Sequence, residues 1–365
     1  MKIFELLQYL ETIAPPALQE NYDNAGLLVG DKEAEISGVL ITLDCIEKTI
    51  EEAVSKKCNL IIAHHPVIFS GLKKITGSTY VERTILTAIK NTIAIYAIHT
   101  NLDNVLPGVN KKIAEKLGLQ DCKILQPKKN IFKKLVTFIP HDHVEKVRTA
   151  LFDAGGGAIG NYDHCSFNIT GTGTFRGNDE TQAFVGEKNI EHHEPETRVE
   201  IIFPSWMEKQ LLNALLKNHP YEEVAYDIYP LENSYKEAGA GLIGKLASPL
   251  PEIDFLLHVK DTMKTSVIRH TTLLEKPVQS VAVCGGAGSF LLQDAIAAGA
   301  EVFITSDFKY HQFFDAENKI LIADIGHYES EQFTVDLLTG IIQQKFPNFA
   351  PPIIKGANTN PVKYL

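Results

Sequence analysis

The chain has no C-x-x-C pair among its five cysteines, which excludes a zinc–thiolate site and a disulfide framework. Cys45, Cys58, Cys122, Cys165 and Cys284 read instead as small core residues. There is no long run of Lys or Arg, and the formal charge is -10. Such a surface does not gather phosphate backbones, so nucleic acid is not the expected partner. The pairs Lys128-Lys129 and Lys133-Lys134 are too short to change that and read as a solvated linker. No apolar run is long enough to span a bilayer. The opening MKIFELLQYLETIAP sets Ile3, Leu6, Leu7 and Leu10 at helical spacing among Glu5, Gln8 and Glu11, an amphipathic helix rather than a signal peptide. A cytoplasmic protein with no membrane partner is expected. Low-complexity tracts are also missing, and 44% hydrophobic with 22% charged residues is the composition of a folded chain. At 365 residues, two or three folding units are expected.

What is present is organised in three stretches. Residues 1–127 alternate continuous apolar runs (ISGVLITLD, NLIIAHH, TIAIYAIHT) with amphipathic helices, the pattern of a buried, mainly parallel sheet. Residues 128–233 read β-α-β-β-α-β, from KKLVTFIP to VAYDIYPL, the ferredoxin-like order, in a unit that can sit as an insertion. Residues 234–365 return to the α/β style with SVAVCGG, EVFITSD, KILIADIGH and one long helix, ESEQFTVDLLTGIIQQKF. The tail PPIIKGANTNPVKYL adds an edge strand. The outer stretches resemble each other. Each closes with a carboxylate four residues after a histidine, His99 with Asp103 and His327 with Glu331, which predicts two similar α/β halves around a shared cleft.

His64 and His65 follow the run LIIA and precede Pro66, so they stand at the carboxyl end of a strand, where open α/β sheets bind ligands. Adjacent residues of an extended chain project to opposite sides, which suits two metal ions better than one. Asp103, His327 and Glu331 follow strands of the same kind, and the last two share one face of a helix start. Imidazole and carboxylate without thiolate suit zinc, iron, manganese or cobalt. Two such divalent ions would hold a water, lower its pKa and favour hydrolysis. His99 is either an outer partner of that site or a core-edge histidine. CGGAGS (Gly285, Gly286, Gly288, Ser289) reads as a tight strand-to-helix connection rather than a phosphate loop. Asp23, Asn24, Gly26, Asp44 and Asp307 either line the same cleft or, as Asp and Asn before Gly do, make ordinary turns, and turns are the first reading. His141, His143, His192 and His193 read as surface histidines.

The segments NYDNAGLLVG, LIIAHHPVIFSG, IHTNLDN, CGGAGS, ITSDFKYH and IGHYESE together resemble the Nif-three-like family of dinuclear metal-binding proteins, known as homologues of type 2 GTP cyclohydrolase I. The resemblance implies that His64, His65, Asp103, His327 and Glu331 are the metal ligands, none of them substituted. HPYEEVAYDIYPL resembles the PII and CutA proteins, which implies the insert found in longer members. It also implies a toroidal homohexamer with metal sites facing an inner cavity. The activity it implies is metal-dependent hydrolysis of a nucleotide or related small molecule. The alternative is a regulatory or metal-handling protein whose insert senses a ligand.

Overall fold

Local sequence builds the elements. The stripe Ile3, Leu6, Leu7 and Leu10 is the buried face of helix α1 (Ile3–Ile13). Strand β1 (Gly26–Val29) follows, then β2 (Val39–Thr42), α2 (Glu47–Ser55), β3 (Leu60–Ala63), α3 (Tyr80–Lys90) and β4 (Ala94–Ala97). Every residue of β2, β3 and β4 is buried, as continuous apolar strands between helices must be. Thr79 starts α3 by accepting the Glu82 N–H at 3.2 Å on its hydroxyl. After β4 come the single turn α4 (Thr100–Asp103), α5 (Val109–Lys116) and β5 (Gln120–Lys128).

The computed structural model describes residues 1–365, in two compact units: 1–127 with 236–365, and 128–235. The second contains β6 (Phe132–Pro140), α6 (Val144–Asp153), β7 (Phe167–Phe175), β8 (His192–Pro204), α7 (Glu208–Asn218) and β9 (Tyr226–Pro230). Its four strands run β7-β8-β6-β9, each antiparallel to its neighbours. Leu135, Val199 and Ile201 of the sheet pack on Val147, Leu151 and Leu215 of the two helices. Lys133 and Lys134 are not linker residues: both lie in β6 and pair with Glu208 and Glu200 at 2.5 and 2.9 Å.

The remainder is β10 (Tyr235–Leu250), α8 (Glu252–Thr262), β11 (Arg269–His270), β12 (Val278–Ala287), α9 (Leu292–Ala297), β13 (Val302–Ser306), β14 (Leu321–Asp324), α10 (His327–Glu331), α11 (Thr334–Lys345) and β15 (Ile353–Lys355). The first unit carries two mixed sheets, β1-β4-β3-β2-β15 and β11-β14-β13-β12-β10-β5. Each is centred on three parallel strands, β2, β3 and β4 in one and β12, β13 and β14 in the other. The tail strand β15 pairs in parallel with β2 at the sheet edge.

Three sequence expectations need correction. The long helix after Gly326 is broken into α10 and α11, with the Gln332 side chain at the break donating to the Met263 and Glu329 carbonyls. The strands β5 and β10 were not expected. Gly239 of β10 explains why that stretch fails to look like a strand: a Cβ there would stand 2.1 Å from the Gln126 carbonyl of β5, so the close approach needs glycine. Finally, only Cys45, Cys58 and Cys284 are buried; Cys122 and Cys165 are partly exposed.

Candidate metal centre

His64 and His65 prolong β3 past its last residue, their N–H groups donating to the Thr42 and Leu43 carbonyls at the end of the neighbouring strand β2. This extended backbone sends His64 inward, fully buried, and leaves His65 at 22% side-chain exposure. Asp103 ends α4, a turn that Asn101 and Asn104 tie to the Ala14 and Leu18 carbonyls. His327 and Glu331 are the two ends of α10, four residues apart, with Nε2 and Oε2 separated by 3.2 Å. The Ser330 hydroxyl accepts the Gly286 N–H at 3.0 Å and fixes α10 against β12.

The five predicted side chains converge on the Glu331 carboxylate. Its Oε1 lies 3.8 Å from His64 Nε2, which is itself 3.6 Å from Asp103 Oδ1. Its Oε2 lies 2.9 Å from His65 Nε2, which is 3.3 Å from His327 Nε2. Two donor groups therefore share one carboxylate: His64, Asp103 and Glu331 on one side, His65, His327 and Glu331 on the other. A neighbouring set brings His99 within ligand distance of His64 and His65.

Each imidazole is aimed by the bond its other nitrogen makes. His64 Nδ1 lies 2.8 Å from the Ile98 carbonyl; a carbonyl only accepts, so Nδ1 carries a proton and the ring presents Nε2 to the two carboxylates. His65 Nδ1 is 2.8 Å from Asp44 Oδ1, and His327 Nδ1 is 2.6 Å from Asp307 Oδ2. His99 Nδ1 is 2.7 Å from Asp23 Oδ1. Carbonyl and carboxylate partners of this kind fix the tautomer of metal-ligating histidines.

The buried group tests whether a cation fits. His64 Nε2 and Asp103 Oδ1 are both buried without a hydrogen-bond partner, although unsatisfied buried polar atoms are rare and costly. Lone pairs from an imidazole and two carboxylates meeting in one buried spot repel, and a cation turns that repulsion into coordination. The residues therefore fit a divalent ion. Protons partly take that place. Burial opposes a charge on His65, but Asp44 and Glu331 raise it to about 10; against the same penalty Asp307 and Glu331 raise His327 to about 11. Burial and the nearby Glu331 push Asp103 up to about 8. Burial would raise Glu331 too, yet the imidazoles of His327, His64 and His65 hold it well below the usual range.

Residues read as turn formers turn out to support the cluster. Asp44 ends the run LITLD after β2 and Asp307 ends ITSD after β13, matching strand ends in the two halves. That position was the available signal. Asp23 accepts from the Thr100 N–H and hydroxyl as well as bonding His99; against burial, these contacts hold it down at about 2. Gly286, at φ +64, takes its role from what it lacks: a Cβ would stand 2.5 Å from Glu331 Oε1. CGGAGS holds no phosphate cradle, since the Gly285, Gly286 and Gly288 N–H groups go to Asn110, Ser330 and Thr305 side chains. His192 and His193 pair with Glu194 and Glu191.

A cavity of about 540 Å³ opens beside His65 and His327, lined further by His99, Phe69, Tyr328 and Arg269. The C-terminal tail forms another wall. The Thr359 hydroxyl donates to Asp44 Oδ2 at 2.6 Å, and Asn360 donates to Glu329 at 3.0 Å.

The family model described as Duf34/NIF3 (NGG1p interacting factor 3) matches residues 1–361. A relative from Bacillus subtilis named "GTP cyclohydrolase 1 type 2 homolog" is 38% identical over 99% of this chain and 98% of its own length. A protein of the same name from Halalkalibacterium halodurans is 40% identical over 88% and 87%. The crystal structure of a Bacillus cereus protein related to NIF3 superimposes with a TM-score of 0.84 at 37% identity, covering 100% of this chain and 99% of that one.

Proposed function

Because the chain belongs to the Duf34/NIF3 family, we propose that it binds two divalent metal ions per chain and uses them to hydrolyse a nucleotide or related small molecule. The carrying observation is the pair of buried, unpartnered atoms, His64 Nε2 and Asp103 Oδ1, facing Glu331. His64 and Asp103 would hold one ion, His65 and His327 the other, with one Glu331 oxygen toward each. Zinc, iron, manganese and cobalt all suit these donors. Such ions supply Lewis acidity to a reacting oxygen when bound.

The chain's own residues do the rest. Asp44 and Asp307 hold His65 and His327 in the tautomer that presents Nε2. His99, with Nδ1 turned to Asp23, keeps Nε2 available to take or return a proton. Phe69 and Tyr328 offer apolar faces to a substrate in the adjoining cavity. The names of the relatives favour ring opening of a guanine nucleotide as the first reaction to try.

Three further parts belong to this reading. Residues 128–233 form an inserted ferredoxin-like domain, supported by the order of its strands and helices. The chain assembles as a homohexamer with metal sites facing an inner cavity. The protein works in the cytoplasm; none of its helices is long and apolar enough to cross a membrane.

Metal content per chain after purification without chelator, compared with Glu331→Ala, is the direct test. Loss of both equivalents in the variant is expected, and no metal in either protein would overturn the centre. Formate release from GTP above a His65→Ala control tests the cyclohydrolase step; no release removes that substrate, while turnover of another nucleotide keeps the hydrolase.

A further inference from the structure

The second unit contains a cavity that the metal chemistry does not use. Strand β8 turns Val199, Ile201 and Phe203 toward the helices, so alternation sends Glu196 and Arg198 to the opposite side of the sheet. Gly171 and Ile169 of β7 stand across from them in register. Beyond β7 the chain folds back. The Gln182 N–H donates to both Glu222 oxygens at 2.9 and 3.2 Å, and the Phe184 and Phe175 rings lie 6.2 and 5.9 Å from that of Tyr221. The space enclosed is about 620 Å³, lined by Phe138, Phe175, Phe184, Tyr221, Glu196 and Arg198. That is the size and character of a small-molecule site, with apolar walls and a few polar groups.

Two of those polar groups have unused capacity. Glu196 is only 7% exposed. Its Oε1 accepts from the Tyr221 hydroxyl at 2.7 Å, while its Oε2 lies over Gly173, where a Cβ would be 2.1 Å away. Arg198 sits two residues along on the same side, yet it turns Nη2 to Glu200 at 2.9 Å instead of to Glu196. Its Nε is buried without a hydrogen-bond partner. A buried carboxylate without a cation and a buried N–H without an acceptor are both costly. Side by side, they ask for a ligand with one cationic and one anionic group. Aromatic faces beside the carboxylate add attraction for an ammonium and room for an apolar body.

We propose that this cavity binds a free amino acid with an apolar or aromatic side chain, its ammonium on Glu196 and its carboxylate on the Arg198 guanidinium. Aromatic rings hold the side chain, and the segment after β7 closes over it. A nucleobase edge fits less well. The guanine edge, with its flat N1–H and N2–H donor pair, needs both carboxylate oxygens, and the Tyr221 hydroxyl already donates to one.

Calorimetric titration of the full-length protein with the proteinogenic L-amino acids, one at a time, tests this. One or more apolar or aromatic members are expected to bind. N-acetylation and methyl esterification of the bound member should each weaken it roughly ten- to a hundredfold, as should Glu196→Gln and Arg198→Gln. Acetylation should cost nothing further in Glu196→Gln, nor esterification in Arg198→Gln, which ties each group to its partner. Phe184→Ala, on the covering segment, weakens binding without touching the sheet, so the test survives if a strand variant fails to fold. No binding by any amino acid, binding of guanosine in their place, or affinity unchanged in all three variants overturns the proposal.

Discussion

The two donor groups around Glu331 use the same kinds of side chain in opposite surroundings. On one side, His64 is fully buried and takes its orientation from a backbone carbonyl, that of Ile98. On the other, His65 and His327 are 22% and 41% exposed and are aimed by carboxylates, Asp44 and Asp307. A cation in the first group replaces contacts that water cannot make. A cation in the second competes with water and protons, beside a cavity open to a substrate. Burial and orientation thus divide the centre into an anchoring side and a working side.

Exchanging the histidines breaks this comparison most strongly. His64→Ala should remove the anchored ion and also destabilise the protein by about 2–4 kcal/mol, from the cavity and the orphaned Ile98 carbonyl. His327→Ala should remove the other ion at a smaller cost in stability, since that ring is 41% exposed. Urea melts with metal analysis decide it; equal costs would end the distinction. Next comes orientation. Asp44→Ala should weaken the solvent-facing ion roughly 10–100-fold and leave the buried ion in place, as competition with a chelating dye would show.

Acid–base behaviour sharpens the contrast further. His65 and His327 rise in the metal-free fold from 6.5 to about 10 and about 11. Raised values stabilise the fold fully below pH 6.5, and that contribution is lost as pH climbs through about 10 to 11. Metal needs the neutral rings, so loading near pH 7 should expel protons. A binding heat that depends on the ionisation enthalpy of the buffer is expected; a buffer-independent heat would contradict the assignment. The smallest effect belongs to Thr359→Val, which removes one hydrogen bond from Asp44. A few-fold loss of affinity on the solvent-facing side is expected.

The candidate donor cluster was legible because the chain writes its residues at strand ends. HH after LIIA and the four-residue spacing of His327 and Glu331 need only the geometry of a strand and a helical turn. The alternation of apolar runs and helices gave the parallel centres of both sheets for the same reason. Other features depend on contacts between distant residues. Asp44, Asp307 and Asp23 look like turn residues until a histidine is found within 2.8 Å of each. Strand β5, QDCKILQPK, lacks a periodic pattern, and β10 is laced with glycines. Their pairing comes from a backbone approach that no local propensity records. At the break before α11, Gln332 likewise reaches Met263, distant in the chain.

The bond from His64 to the Ile98 carbonyl has a consequence for how this protein can vary. Asp44 and Asp307 can each be erased by one codon change, so the working side of the centre is open to retuning. The main-chain oxygen of Ile98 belongs to every residue that could stand there, and no single substitution at that position removes it. His64 is thereby shielded from drift in its partner, and a lineage could retune one donor group while the other keeps its aim.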